Sequence, residues 1–360
     1  MAIFNRIVTK AAVSPAPAKA AASGGSVSQA LASYYNFTEG EARNRCMSVP
    51  TISRARDLIA SVIGCMKLQM YNEMWNGDDM EKMPLAPRSW LRRIDPAVPN
   101  NFILSWTFDD LFFYGRAMWY ITSRTADGFP ASFQRLPMGS ISTTDMVGPV
   151  WFGPSKEIYF NGNQLDTNNV VQFLSPIQGI TSMSTQSVGT ALKLEAARYR
   201  NSASSIPAGV LKQTGGEPLS GQELADLASA FNAARATNQT AALNEYLTYT
   251  ETATSPDKML LIDSAEFQAK EMARICNVPF YLVGCDVGSY SYVSNDGARA
   301  DLWTFGAKAY AECITATLSQ NNVLPNGTYV EFDYEDYLIN EYATPQMPDM
   351  ATPMGVTSPS

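Results

Sequence analysis

The sequence predicts an α+β fold, in which helices and strands occupy separate stretches of the chain. Residues 48–64 and 100–115 carry apolar residues at helical spacing, and residues 116–175 switch to a spacing of two, which is typical of short strands. Farther on, two charged helices enclose a small α/β module at residues 206–263. Because the strands follow the helices instead of alternating with them, a doubly wound parallel sheet is not expected.

Composition limits the classes of function. The 360 residues, 46% of them hydrophobic, are enough for about two domains with a substantial core. No apolar run is long enough to span a membrane. The chain has no histidine, which excludes histidine triads and HExxH zinc sites, and its five cysteines form no CxxC pair. It also lacks the P-loop and GxGxxG motifs. We therefore expect no catalytic residue, no metal and no cofactor, and we do not expect an enzyme.

The first helix is predicted at residues 48–64 and is expected to pack on a sheet. Ser48 is expected to cap it, and Pro50 lies in the first turn, where a missing amide hydrogen is tolerated. Arg54, Arg56 and Asp57 are expected to point away from the core. A DNA-binding patch is the alternative, which acidic neighbours disfavour. The patch would comprise Arg43, Arg45, Arg54 and Arg56, and the apolar face comprises Ile52, Ala55, Ile59, Val62 and Ile63.

A strand is predicted at residues 67–71, before a turn at Asn76-Gly77. The second helix, residues 100–115, is expected to be capped by Asn100 and buried on most sides, because few of its residues are polar. A stacking platform for nucleic-acid bases is the alternative, which the lack of interleaved basic residues disfavours. Further strands are predicted at residues 117–124, 131–136, 140–146, 150–152, 157–160 and 170–174, with turns at Asp127-Gly128 and Asn161-Gly162.

Two charged helices enclose the α/β module. The first is predicted at residues 186–204, and the second is expected to begin at Asp263, its cap, and to end at Asn277-Val278-Pro279. Within the module, Ser220 and Glu223 form a capping box. Strands are predicted at residues 208–212, 243–250 and 259–262. The charged residues that are expected to decorate the two helices are Lys193, Glu195, Arg198, Glu266, Lys270 and Arg274. On the second helix, Glu266–Lys270 and Glu271–Arg274 are spaced to form ion pairs on the outer face.

A loop and one long helix follow the module. The loop, residues 283–295, is rich in Gly, Ser and Tyr and contains no Lys or Arg. The helix runs toward Gln320, and Gly306 inside it implies close packing or a kink. Its apolar residues lie on two faces, as expected where subunits pack side by side. The residues expected to pack between subunits are Trp303, Phe305, Tyr310 and Ile314. A strand at residues 329–334 then returns to the first domain.

One carboxylate pair offers an alternative from another functional class. If the last strand extends to Glu335, Asp333 and Glu335 share one face of it. Paired carboxylates can hold the metal ions of a nuclease. A metal-dependent nuclease that uses Asp333 and Glu335 therefore stays open as an alternative, although adjacent acids on an edge strand are usually solvated.

Several stretches resemble tailed-bacteriophage portal proteins of the HK97 and SPP1 type. The opening helix and strand of that family resemble SVPTISRARDLIASVIGCMKLQMY, and its next helix and hairpin resemble FILSWTFDDLFFYGRAMWYITSRTADGFPASFQRLP. The strand after its first stem helix is similar to IPAGVLK, and its second stem helix, variable loop and next helix resemble EFQAKEMARICNVPFYLVG followed by SNDGARADLWTF. The matches run in the family's order from about residue 48 to 338. Asn277 replaces a frequent glycine of the family, and little chain follows Leu338, so the helical crown is expected to be reduced or absent.

The resemblance implies the organisation of a portal subunit. In chain order, it implies a flexible leader at residues 1–42, a wing at 43–185, a first stem helix at 186–205, a clip at 206–263, a second stem helix at 264–279, a tunnel loop at 280–295, a long helix and returning strand at 296–342, and a disordered tail at 343–360.

The resemblance also implies a function. Portal proteins form a dodecameric ring at one capsid vertex of the virion, assemble in the host cytoplasm, and provide the channel for DNA packaging and ejection. The implied partners are further copies of the chain, the major capsid protein, the terminase large subunit, head–tail adaptor proteins and double-stranded DNA that passes without sequence-specific contacts. No membrane is implied. A structural connector without a channel is the second alternative.

The charge of the chain agrees with a channel through which DNA slides. The net charge is −8, so a ring of twelve copies would carry about −100 and would repel the polyanion instead of gripping its phosphates. We expect the tunnel loop to contact DNA sterically and weakly. The DNA-facing residues implied by the resemblance are Asp286, Ser289, Tyr290, Ser291, Tyr292 and Asn295.

Overall fold

The described part of the chain combines helices with four small antiparallel sheets. The computed structural model describes residues 40–143, 153–183, 185–203, 209–236, 246–251, 261–285, 295–334 and 337. In these residues, no helix is both long and apolar enough to cross a membrane.

The helices in chain order are α1 (residues 40–47), α2 (Pro50–Cys65), α3 (Ser89–Arg92), α4 (Asn100–Tyr114), α5 (Ile180–Met183), α6 (Thr185–Ala203), α7 (Gly221–Ala236), α8 (Leu261–Ile275), α9 (Asn295–Asp301) and α10 (Lys308–Leu318). A π-helical segment, Leu302–Ala307, joins α9 to α10, and short 3-10 turns lie at Met138–Ser140, Thr167–Asn169 and Phe280–Val283.

The strands are β1 (Leu68–Trp75), β2 (Met80–Pro84), β3 (Arg116–Arg124), β4 (Pro130–Leu136), β5 (Ile141–Thr143), β6 (Ile158–Phe160), β7 (Asn163–Leu165), β8 (Val170–Leu174), β9 (Gly209–Gln213), β10 (Leu247–Glu251) and β11 (Thr328–Phe332). They pair in the orders β11-β1-β2, β4-β3-β8, β5-β6-β7 and β9-β10. The predicted strand at residues 150–152 lies outside the described residues, as do residues 144–146 of another predicted strand.

The main core lies between α2, α4, α10 and the sheet β4-β3-β8. The rings of Phe108 and Tyr310 meet edge-on at 5.1 Å, which joins α4 to α10. Trp119 of β3 is fully buried, and its Nε1 donates to Thr107 Oγ1 of α4 at 2.8 Å. The predicted burial of α4 on most sides is confirmed. It follows from a helix that contacts α2 on one side and a sheet on another.

Helix α2 buries the predicted apolar face, but its neighbours differ from the prediction. It packs mainly against α4, with further contacts to α8 and the π-helical segment, rather than on a sheet. Gly306 explains the close approach of the long helix. A Cβ atom at that position would lie 3.3 Å from Ile59 Cδ1. The predicted close packing at Gly306 is therefore confirmed, and a π-helical segment occurs at the same place.

Three predicted helix caps are wrong. The residue before α2 is Val49, and Ser48 Oγ instead donates to Asn44 O of α1 at 2.9 Å. Asn100 lies inside the first turn of α4, where its Oδ1 accepts from Ile94 N and so fixes the preceding turn. Helix α8 already begins at Leu261, so Asp263 lies in its first turn and residues 261–262 are helical rather than part of a strand. In the first two cases the polar side chain bonds to a backbone group a few residues earlier in the chain instead of capping its helix.

The module between α6 and α8 stands outside the core. It contains α7 and the antiparallel strand pair β9-β10, whose strands precede and follow α7 in the chain, and none of its described side chains at 211–234 and 246–250 is buried. The capping box is confirmed, because Ser220 N donates to Glu223 Oε2 at 2.8 Å and Glu223 N donates to Ser220 Oγ at 3.4 Å.

Helices α6 and α8 connect this module to the core and pack against each other. Val188, near the start of α6, is buried, as are Met272 and Cys276 at the end of α8. The middle of each helix is more exposed. At 1.5 Å per residue, the 19 residues of α6 extend for about 28 Å. The pair therefore leaves the core, carries the module, and returns.

Candidate functional site

The candidate site is the junction where α8 ends and the predicted tunnel loop begins. The end of α8 is a Schellman motif. Asn277 adopts a left-handed φ of 53°, its N–H donates to Arg274 O at 3.1 Å, and Val278 N donates to Ala273 O at 3.1 Å. Asparagine tolerates this conformation better than most residues other than glycine. Asn277 therefore performs the role of the glycine that the portal family often has there.

One hydrogen bond joins the two ends of the loop. Tyr281, in the 3-10 turn Phe280–Val283, donates its hydroxyl to Asp301 Oδ2 of α9 at 2.8 Å. Burial and the neighbouring carboxylate raise the pKa of Tyr281 to about 12, so the phenol stays protonated at neutral pH. Gly284, with a φ of 87°, then turns the chain out of the junction. The residues before and after the loop are thus held at a defined separation.

Most of the predicted DNA-facing residues lie outside the described residues. These are Asp286, Ser289, Tyr290, Ser291 and Tyr292, while Asn295 is the first residue of α9. Between Arg274 and Arg299 the sequence has no Lys or Arg, and it has two aspartates, Asp286 and Asp296.

The long helix that follows the loop contains both buried and exposed residues. Tyr310 is 3% exposed and Ile314 is fully buried, so both belong to the core of their own subunit. Phe305 is 62% exposed. Trp303 is half-buried, and its ring stacks on that of Tyr334 with a centroid distance of 6.0 Å. Of the four residues expected to pack between subunits, Phe305 and Trp303 are accessible for such a contact.

The charged residues of α6 and α8 form local ion pairs. Glu266 and Lys270 pair at 2.5 Å, as their helical spacing predicted, and Glu195 and Arg198 pair at 3.1 Å. Glu271 pairs with Arg274 in the same way, and Lys193 is exposed. Because these pairs are exposed to water, each contributes little to stability. Their main effect is to leave the outer faces of both helices close to neutral.

A buried charge cluster near α4 is not predicted from the sequence. It comprises Arg43, Arg56, Arg135, Trp106, Asp109 and Asp110. Arg43 forms two hydrogen bonds with Asp109, at 2.9 and 3.0 Å, and Arg56 donates to the same carboxylate at 2.7 Å. The expectation that Arg56 points away from the core is therefore wrong. Arg56 also pairs with Asp57 at 2.8 Å, so Asp57 and Asp109 together offset two of the four arginines of the DNA-binding patch, and that alternative loses its support.

The second aspartate of the cluster binds the third arginine. Arg135 of β4 makes two hydrogen bonds to Asp110, at 2.7 and 2.8 Å, and all three guanidinium groups lie within 5.6 Å of the Trp106 ring centre. Burial raises the pKa of Asp110 to about 7, although the positive charge of Arg135 acts to lower that pKa. The adjacent acids Asp109-Asp110 were the only sequence signal for this cluster, because their partners lie far apart in the chain.

The nuclease alternative gains no support from the residues that are described. Asp333 accepts a hydrogen bond from Gln69 Nε2 at 2.5 Å, and Glu335 lies outside the described residues. Across the described ranges, no three His, Cys, Asp or Glu side chains come together as a metal site would require.

Comparisons with known proteins identify the fold. The family model described as phage portal protein matches residues 50–347. A comparison with curated proteins finds no match. Among solved structures, the chain resembles an HK97 family phage portal protein from Corynebacterium diphtheriae, with 20% identity and a TM-score of 0.64 over 81% of this chain and 95% of that chain. It also resembles a chain in the neck of a native gene transfer agent particle computed with C12 symmetry, with 14% identity and a TM-score of 0.57 over 83% and 84% of the two chains.

Proposed function

The chain belongs to the phage portal protein family, and we propose that its copies form a dodecameric ring at one vertex of the virion, through which double-stranded DNA is packaged and ejected. The observation that carries this proposal is the family match, which covers residues 50–347. The number twelve is supported by the similar neck chain, whose particle was computed with C12 symmetry. Assembly takes place in the host cytoplasm.

The proposed subdomains are those that the resemblance to portal proteins implies, and the pattern of burial supports them. The wing, residues 43–185, contains α2, α4 and the sheet β4-β3-β8, which together supply most of the core. Residues 186–205 and 264–279 are the stem helices, and residues 206–263 are the clip. This assignment is supported by the paired helices α6 and α8, which connect the core to a module in which none of the described side chains is buried.

The clip is proposed to meet the terminase large subunit and the head–tail adaptor proteins. A module that stands on a helical pair is free to contact other proteins on most of its surface. The major capsid protein is the further partner, since the ring occupies a capsid vertex.

The tunnel loop, residues 280–295, is proposed to face the DNA. Its attachment supports this role, because the Schellman motif, the 3-10 turn and the bond from Tyr281 to Asp301 hold both ends in place. The lack of Lys and Arg between residues 275 and 298 supports weak steric contact rather than phosphate binding. We propose that Asp286, Ser289, Tyr290, Ser291, Tyr292 and Asn295 form the DNA-facing surface.

Contacts between neighbouring subunits are proposed at the π-helical segment of the long helix. Phe305 is the candidate anchor, because its large apolar side chain is 62% exposed. Covering that side chain with a neighbouring subunit would stabilise the contact between the two subunits. A metal-dependent nuclease and a connector without a channel are not favoured, because the family match covers most of the chain.

Deleting residues 289–293 tests the role of the tunnel loop. The deletion leaves the described junction intact, so we expect rings to assemble as in the wild type while the particles retain less DNA. The matched control replaces residues 289–293 by five Gly and Ser residues, which keeps the length of the loop. If contact is steric, the control retains more DNA than the deletion. A normal amount of packaged DNA in the deletion variant would exclude this role.

A further inference from the structure

A groove lies between the two stem helices and the start of α2. Its volume is about 160 Å³, and its apolar lining includes Ala191, Leu192, Ala269 and Met272. A cavity of about 150 Å³ is large enough for one benzene ring. The groove therefore has the size for one aromatic ring.

An exposed aromatic side chain lies on the other side of the same helix. Phe267 of α8 is 57% exposed. An α-helix turns 100° per residue, so Phe267 lies about 160° around the helix from both Ala265 and Ala269, which line the groove. One subunit thus carries a groove and a protruding ring on opposite sides of its stem, and its own Phe267 cannot fill its own groove.

This arrangement fits a closed ring. Copies that are related head to tail contact each other through two different surfaces, which lie on opposite sides of each subunit. A groove on one side and an aromatic ring on the other are complementary surfaces of this kind.

Both contact surfaces are close to neutral, which allows two negatively charged copies of the chain to bind each other. Each chain carries −8, so two copies repel each other unless their contact surfaces are close to neutral. At the groove, Glu195 and Arg198 neutralise each other. On the side of Phe267, the pairs Glu266–Lys270 and Glu271–Arg274 do the same.

We propose that Phe267 of each copy inserts into the stem groove of the next copy and is an anchor of the ring interface. The proposal rests on the ring of the proposed function and adds the contact that closes it. The occupant of the groove is a second copy of this chain, and burial of the phenyl ring replaces two solvent-exposed apolar surfaces by one contact.

A disulfide between two engineered cysteines tests the contact. The variant carries Phe267→Cys and Ala269→Cys, and Cys65→Ser and Cys285→Ser remove the two cysteines that are not buried. Positions 267 and 269 face opposite sides of α8, so they cannot form a disulfide within one chain. After mild oxidation of assembled rings, we expect a ladder of covalent multimers on a non-reducing gel. The Ala269→Cys variant alone should stay monomeric on the gel.

A second variant covers the case in which the double variant does not assemble. Phe267→Ala should weaken ring assembly by about tenfold or more, the loss typical of an interface anchor. The matched control is Leu224→Ala in α7, another exposed apolar residue, which should assemble like the wild type.

Three outcomes would overturn the proposed contact, and a fourth would contradict the proposed function. Intact rings without a covalent ladder would overturn the contact, and so would equal assembly of the Phe267→Ala and Leu224→Ala variants. Protection of the cysteine at position 269 in the monomer would show that the same chain covers the groove and would also overturn the contact. A wild-type chain that forms no ring would instead contradict the proposed function.

Discussion

At the scale of single residues, Gly179 is a position that backbone atoms surround closely. A Cβ atom there would lie 2.3 Å from Phe113 O, 2.6 Å from Tyr114 C and 2.7 Å from Gly115 N. All three atoms belong to the backbone at the end of α4, so no side chain can move aside. We expect Gly179→Ala to destabilise the protein by about 1–3 kcal/mol, as overpacking of a core does. The measurement is the apparent melting temperature, which should fall by several degrees.

Gly139→Ala is the matched control for this substitution. A Cβ atom added at Gly139 would meet no neighbouring atom within 4 Å, and the residue has no positive φ. The change should therefore shift the free energy of unfolding by less than about 0.5 kcal/mol. Equal melting temperatures for the two variants would show that the segment around Gly179 shifts freely, contrary to the packing described.

Prediction from the sequence is weakest for the hydrogen-bond partners of individual polar side chains. Ser48 and Asn100 have the chemistry of helix caps, yet each bonds to a neighbouring segment instead. Arg56 lies on a face that helical periodicity assigns to solvent, yet it binds Asp109, which is 53 residues away in the chain. The spacing of residues within one helix contains no information about a partner as distant in the chain as Asp109. The ion pairs within α8 were predicted correctly because both partners lie on the same helix.

At the scale of elements, the bond between Tyr281 and Asp301 is expected to hold the loop junction closed. Tyr281→Phe removes a hydroxyl that is engaged at 2.8 Å, at a cost of about 1 kcal/mol. Local opening of the junction should then be about fivefold more frequent. The measurement is amide hydrogen exchange in residues 295–301, which should become faster. Asp301→Asn keeps an acceptor and should exchange more nearly like the wild type. Unchanged exchange in Tyr281→Phe would show that the bond does not hold the junction.

Most helices and the main strands were predictable because their periodicity is strong. The hairpin of β3 and β4, the strand β8, the capping box of α7 and the enclosed α/β module all lie close to their predicted positions. The strands β2 and β7 were not predicted. Strand β2 is exposed at every position and β7 has three residues, so neither carries a periodic apolar signal. Both occur because a neighbouring strand offers them hydrogen bonds after a tight turn.

At the scale of the whole molecule, the α+β class and the order of the parts followed from the sequence. Spacing alone could not show which parts pack together, namely that α2 lies on α4 rather than on a sheet and that α6 and α8 pack against each other. The resemblance to portal proteins supplied the expected assembly, and the family match shows that the chain is a member. The loop stays a prediction from composition, because residues 286–294 lie outside the described residues, whereas the bond between Tyr281 and Asp301 required the structure.

The central claim is that the chain works as a ring with an open channel, and imaging of the purified protein by electron microscopy tests it most directly. The account predicts closed rings with a central hole wide enough for duplex DNA and with twelve subunits, in agreement with the C12 symmetry of the similar neck chain. Monomers at high protein concentration, or closed particles without a central hole, would contradict it.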